Sequence, residues 1–104
     1  MTSRKLRLAG MTYRLRFKKK AKKEWDALDS TVRNQFKKKL QERKALPRVE
    51  AAKLSGMDDC YKIKLRSIGY RLVYQVRDKD LIISIVVIGK RERNHVYKLA
   101  IKRF

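Results

Sequence analysis

The chain has 104 residues, 43% of them hydrophobic, which allows one compact domain with a modest core. Thirty Lys and Arg against ten Asp and Glu give a formal net charge of +20, far more than solubility requires. A field of that size repels itself and draws polyanions, so nucleic acid is the first partner class to expect and an acidic protein the second.

The first ten residues, MTSRKLRLAG, carry charge without the apolar stretch of a secretory signal. They read as a flexible extension, leaving 11–104 as the single domain. Beyond Met11, Tyr13, Leu15 and Phe17 alternate with Arg14 and Arg16 in a strand pattern. Lys18 to Leu28 sets Ala21, Trp25 and Leu28 at helical spacing, which predicts a short helix with a strongly basic outer face and Trp25 in the core. Asp29 and Ser30 break that helix and cap the next one, Thr31 to Lys44, in which Val32, Phe36 and Leu40 recur every fourth residue and Lys37 to Lys39 face solvent. Pro47 stops it. The two helices are expected to pair as an antiparallel hairpin. Leu46 to Met57 is irregular, with a turn at Ser55 and Gly56.

Three antiparallel strands are predicted next, over Cys60 to Arg66, Tyr70 to Arg77 and Leu81 to Ile88. In the first, Tyr61, Ile63 and Leu65 share one face and Lys62, Lys64 and Arg66 the other. In the second, Tyr70, Leu72, Tyr74 and Val76 form the apolar row opposite Arg71, Val73, Gln75 and Arg77. A hairpin closing at Ile68 and Gly69 would oppose Arg66 to Arg71 and Lys64 to Val73, gathering Lys62, Lys64, Arg66 and Arg71 on one surface. A slip by one residue would turn Lys64 into the apolar side, which burial rejects. Leu81 to Ile88 is apolar on both faces and belongs in the middle of the sheet. It falls short of the ~20 residues that cross a bilayer, so no membrane association is expected. Gly89 is expected to end this strand. Glu92 to Arg103 carries Val96, Leu99 and Ala100, enough for a C-terminal helix. The fold class is therefore α+β, a small antiparallel sheet flanked by an N-terminal helical hairpin and a C-terminal helix. Cys60 excludes an intramolecular disulfide, fits a cytoplasmic location, and reads as a small apolar residue opening a strand.

The acids are scattered singly or in short loop pairs, and His95 is the only histidine. Neither a two-metal carboxylate site nor a histidine acid–base pair is expected, and no Gly-rich phosphate loop or zinc spacing occurs. No cofactor or metal is expected. What remains is a cation cluster with a nearby tyrosine: Lys62, Lys64, Arg71, Arg91 and Tyr97. RNA supplies its own nucleophile, the 2'-hydroxyl, so cleavage needs only proton transfer and neutralisation of the pentavalent oxyanion. Arginine forks match phosphate oxygens for the second task. A lysine serves as base only if its pKa falls, since at ~10.4 about one in 2,500 is neutral at pH 7. Crowding of Lys64 by Lys62, Arg66 and Arg71 presses in that direction. The same face serves equally as a passive phosphate-binding surface, Tyr97 as a cap on the core, and His95 as a solvent-exposed residue or an aid to proton transfer.

The stretches KKEWDALDSTVRNQFKKKL, AAKLSGMDDCYKIKLRSIGYRLVYQV and VVIGKRERNHVY together resemble the RelE family of toxin ribonucleases from bacterial toxin–antitoxin pairs. The likeness covers nearly everything from Met11 onward and leaves the first ten residues without a counterpart, with Met11 as a natural start. It implies a fold similar to microbial ribonucleases and a metal-independent endonuclease that enters the A site of the 70S ribosome and cuts the message there. Carried over by position, Lys62 and Lys64 match the family's lysine pair, with Lys64 as general base. Arg71 matches the arginine that holds the scissile phosphate, Arg91 the arginine that stabilises the developing charge, and Tyr97 the tyrosine that orients the substrate base. Lys62, Arg66, Lys90, Arg93, Lys18, Lys19, Lys22 and Lys37 are expected to hold RNA phosphates. The implied partners are an acidic cognate antitoxin and the ribosome, with DNA engaged only through the antitoxin complex. The chain departs from the family pattern in having Ser55 in place of an arginine and His95 in place of an acid. Two rival readings are a non-catalytic basic RNA-binding or ribosome-associated protein, and a DNA-binding repressor subunit, for which neither helix offers base-reading side chains.

Overall fold

The computed structural model describes residues 12–92 and 94–104. The expected extension over 1–10 and the RNA contact assigned to Arg93 lie outside the described residues. The alternation after Met11 gives β1 (Arg14–Phe17), followed by helices α1 (Lys19–Asp26) and α2 (Ser30–Ala45). A single 3-10 turn, Glu50–Ala52, leads to β2 (Cys60–Leu65), β3 (Tyr70–Arg77), β4 (Ile82–Lys90) and the closing helix α3 (His95–Lys102).

The strands form one four-stranded sheet in the order β1-β4-β3-β2. The antiparallel pairing expected from the sequence holds for β2, β3 and β4, whereas β1 lies parallel to β4, Arg14 beside Ile82 and Phe17 beside Ile85. β4 is thus central, as its two-sided apolar character requires. One sheet face carries Ile63, Leu72, Tyr74, Ile83 and Ile85 against Ala21 of α1 and Phe36 and Leu40 of α2. The opposite face carries Cys60, Val73, Val86 and Val87 against Val96 and Ala100 of α3. Cys60 is a buried free thiol whose pKa is pushed up to about 11, first by burial and then by Asp59 and Asp58. Trp25, expected in the core, is only half-buried at its edge and stacks in a tilted pair with Phe17, ring centroids 5.2 Å apart.

Three local expectations need correction. The β2–β3 hairpin closes through a four-residue turn, Arg66–Gly69, so the register moves by two residues: Lys64 opposes Arg71 and Lys62 opposes Val73. An even shift preserves the faces but takes Arg66 out of the strand. Gly89 does not end β4, which continues to Lys90, and the chain turns at Leu81 (φ 55°) before the strand begins at Ile82. The C-terminal helix starts at His95 rather than Glu92.

A β-bulge explains why β4 reads as apolar throughout. The β3–β4 register shifts between Val73, paired with Val87, and Tyr74, paired with Ile85, leaving Val86 as the extra residue. The side-chain alternation therefore changes phase, so Ile85 and Ile88 face α1 and α2 while Val86 and Val87 both face α3. Past the bulge, Gly89 falls on the α3 face opposite Arg71.

Candidate active site

The strand alternation places Lys62 and Lys64 of β2 and Arg71 of β3 on the α3 side of the sheet, below the start of that helix. Gly89, beside Arg71, is what lets the helix come close, since a Cβ there would stand 3.1 Å from Cγ2 of Val96. Lys90 and Arg91 follow at the end of β4, where the Arg91 N–H donates to the Gly69 carbonyl at 2.7 Å and ties the strand exit to the β2–β3 turn. Asn94 then adopts a left-handed conformation (φ 62°), which asparagine tolerates, and its side chain makes no capping bond to the helix it opens. His95 N–H closes the turn on the Glu92 carbonyl at 2.7 Å. From the first turn of α3, Tyr97 completes the wall.

The result is an open cleft of about 240 Å³, smaller than the ~300–1,000 Å³ of sites that enclose a small molecule and suited to one segment of a longer polymer. Among the described residues, five cations line it, Lys62, Lys64, Arg71, Lys90 and Arg91, against a single carboxylate, Glu92. Several carboxylates elsewhere are held in ion pairs: Asp59 and Asp78 with Arg48 at 3.0 and 2.7 Å, Asp26 with Lys22 at 2.8 Å, and Glu24 with Arg103 at 2.8 Å. The cleft thus carries a marked local excess of positive charge.

Two polar atoms give the site its chemical direction. Arg71 Nη1 and the Tyr97 hydroxyl are both buried and both lack a hydrogen-bond partner among the described residues, and both residues line this cleft. A buried donor left unmade costs ~1–3 kcal/mol, and an anionic oxygen would satisfy both. The Lys64 ammonium is held below the usual lysine range, chiefly by Lys62, then by desolvation, then by Arg71 and Arg66. A lysine so placed is a better proton acceptor near neutrality than an isolated one.

Of the residues expected from sequence, Lys62, Lys64, Arg71, Lys90, Arg91 and Tyr97 meet in this one cleft. Arg66 sits in the hairpin turn and reaches the site only through its field on Lys64. Lys18 and Lys19 line a separate depression with Lys20 and Lys102, Lys22 is paired with Asp26, and Lys37 is exposed on α2. These four form outlying basic surface rather than site. Sequence reasoning missed Glu92 and Asn94, which line the cleft only because β4 runs past Gly89 and α3 starts late. The left-handed Asn94 between strand and helix was the available signal. Among the described residues, no helix is long and apolar enough to cross a membrane.

Comparison with known proteins gives a consistent picture. Residues 15–95 match the family model described as ParE toxin of type II toxin-antitoxin system, parDE. Over 93 residues, 89% of this chain and 98% of the relative, the sequence is 59% identical to the mRNA interferase toxin RelE of Escherichia coli K12. The fold superposes with a TM-score of 0.83 on a doubly substituted variant of E. coli RelE in the free state, at 56% identity, covering 90% of this chain and 99% of that one. It superposes with a TM-score of 0.75 on the toxin of the intact E. coli RelBE toxin-antitoxin complex, at 59% identity, covering 78% and 99% of the two chains.

Proposed function

The chain belongs to the RelE/ParE family of type II toxin–antitoxin toxins, and from that premise we propose that it is an endoribonuclease that cuts messenger RNA in the A site of the 70S ribosome and so arrests translation. The observation that carries this reading is the pair of buried donors without a partner among the described residues, Arg71 Nη1 and Tyr97 OH, on two residues that line one cationic cleft.

In the proposed reaction Lys64, in its neutral form, takes the proton of the 2'-hydroxyl. The 2'-oxygen forms a bond to the adjacent phosphorus while the bond from phosphorus to the 5'-oxygen breaks, leaving a 2',3'-cyclic phosphate and a 5'-hydroxyl. Arg71 holds the scissile phosphate and, with Arg91, neutralises the charge that grows on the phosphorane and on the departing oxygen. A guanidinium keeps its protons too firmly to be the acid, so the leaving oxygen takes its proton from solvent in the open cleft. Lys62 depresses the Lys64 pKa and adds a phosphate contact, and Tyr97 orients the base. Lys90 and the outlying Lys18, Lys19, Lys22 and Lys37 supply attraction to ribosomal RNA. With so few acid–base groups, much of the rate must come from the ribosome fixing the message near its attack geometry, an effect that reaches ~7–11 kcal/mol in oriented systems. The protein partner is an antitoxin, whose acidic segments would be steered onto the +20 domain.

The test is 5'-end mapping of messages on programmed ribosomes with an empty A site, with and without protein, alongside a message carrying a 2'-deoxy substitution at the cut position. Cuts at the A-site codon that disappear with the 2'-deoxy message are the expected result. An uncut message that is nonetheless bound would leave the protein a passive RNA binder.

A further inference from the structure

We propose that Glu24 and Arg103 act together as positioning residues that fix α3, and with it Tyr97, over the cleft. The geometry of this clamp stands by itself, and only its kinetic consequence rests on the ribonuclease reading above.

The argument starts from an unfinished strand edge. β1 accompanies β4 only as far as Ile85, and the bulge at Val86 lies immediately beyond. Backbone groups past that point have no strand neighbour on the β1 side, yet they are satisfied. The Ile88 N–H donates to Glu24 Oε1 at 3.0 Å, and the Val86 carbonyl accepts from Arg103 Nη1 at 2.8 Å. The two side chains are also joined to each other, Nη1 to Oε1 at 2.9 Å and Nη2 to Oε2 at 2.8 Å. A guanidinium and a carboxylate thus stand in for the missing strand, and their planar, two-pronged pairing leaves little freedom. The pair is sheltered, with side-chain exposures of 13% for Arg103 and 28% for Glu24, against 55% and 59% for Lys22 and Asp26. It is therefore of a different kind from a solvated helix pair.

The fastening lies at a mechanically useful place. Arg103 is the C-terminal cap of α3, Glu24 belongs to α1, and the backbone they grip belongs to β4, so three elements are pinned at one point. At its other end α3 rests through Val96 on Gly89, next to Tyr97. A helix of eight residues is ~12 Å long, so release of the far end lets it rock about that contact. The Tyr97 hydroxyl is buried without a partner among the described residues, so its position is set by the seating of the helix and the packing of its ring on this face of the sheet. Displacement of a reacting group by ~1 Å can cost about 100-fold in rate.

The experiment uses the full chain labelled with 3-fluorotyrosine, comparing the wild type with Glu24→Gln, Arg103→Gln, Arg103→Lys and, as a control, Asp80→Asn, which breaks the exposed ion pair of Asp80 with Arg77 at 3.6 Å. Glu24→Gln keeps an acceptor for the Ile88 N–H and so preserves the fold. The expected result is a shifted or broadened Tyr97 fluorine resonance in Glu24→Gln and Arg103→Gln, with those of Tyr61 and Tyr74 unmoved, and no change in Asp80→Asn. On ribosome-bound message kcat should fall about tenfold with KM within twofold, Arg103→Lys should recover part of the loss, and in a Tyr97→Ala background Glu24→Gln should add less than twofold. An unmoved Tyr97 resonance, or a loss of kcat carried in full into the Tyr97→Ala background, would overturn the clamp. If the wild type cuts no message, the enzyme reading fails, and the fluorine spectra still decide the clamp.

Discussion

Lys64 stands directly opposite Arg71 across the β2–β3 ladder, two cations in a position where neighbouring side chains on one sheet face are closest. Like charges so placed destabilise a sheet, and Lys62 on the same face increases the strain. This local cost lowers the Lys64 pKa, so the native state binds fewer protons than the unfolded chain between the lowered value and the unfolded ~10.4. Stability contributed by this group therefore rises with pH through that window, and the repulsion is fully present below it. Replacing Lys64 by Gln is expected to raise Tm by on the order of 2 °C while eliminating cleavage, as thermal melts and message mapping would show.

Lys62 is the largest cause of the Lys64 shift. Lys62→Gln should therefore return the Lys64 pKa toward its ordinary value and move the rising limb of the pH–rate profile to higher pH. A profile that keeps its position would show that Lys64 is not the base.

Arg71→Ala and Arg91→Ala each remove a guanidinium from the cleft, at the proposed phosphate position. Each is expected to reduce single-turnover cleavage by at least ~100-fold, the size of effect seen when one charge-stabilising donor is lost. Ribosome binding, measured by co-sedimentation, should stay within a few-fold because the outlying lysines remain. Equal losses in both would make these residues anchors only.

Gly89→Ala would bring a methyl within 3.1 Å of Val96 Cγ2 and push the helix start outward by a few tenths of an ångström. Cleavage should drop severalfold with little change in ribosome affinity. The double variant Gly89→Ala, Val96→Ala makes room for the methyl and should regain most of the cleavage, which separates a steric origin from a backbone one.

Tyr74 anchors the opposite side of the sheet. Its buried hydroxyl donates to the Pro47 carbonyl at 2.6 Å and accepts from Arg43 Nη1 at 2.7 Å. Tyr74→Phe strands the Pro47 carbonyl and leaves Arg43 Nη1 with its longer bond to the Lys62 carbonyl at 3.2 Å, and should cost ~1–3 kcal/mol, lowering Tm by ~4–8 °C per kcal/mol, with message cleavage unchanged below the melt.

Strand alternation made Lys62, Lys64 and Arg71 legible as one surface, and that surface survived a register shift because the shift was by two. The placement of Arg66 was not legible, since a two-residue closure and a four-residue turn present the same alternation up to Leu65. The parallel seat of β1 on β4 was hidden because nothing local to Arg14–Phe17 encodes a partner more than sixty residues away. The bulge was invisible for a related reason: an apolar run has no phase to lose, so the change of face after Ile85 left no mark in the sequence. Gly89 was noticed but assigned to a turn, when its lack of a side chain serves the approach of Val96. The pairing of Glu24 with Arg103 went unread in the sequence because their meeting depends on the sheet edge between them.

Pairing β1 with β4 has a consequence for how the protein comes to life. The sheet joins residue 14 to residue 82, and the cleft is roofed by a helix beginning at residue 95. During vectorial synthesis, the early segment must wait for almost the whole remaining polypeptide before its partner emerges, and contacts of such wide separation form slowly. Until the residues of β4 and the helix behind it have emerged, a nascent chain has neither its first sheet contact nor the roof of its cleft, so the cation cluster is assembled only late in synthesis.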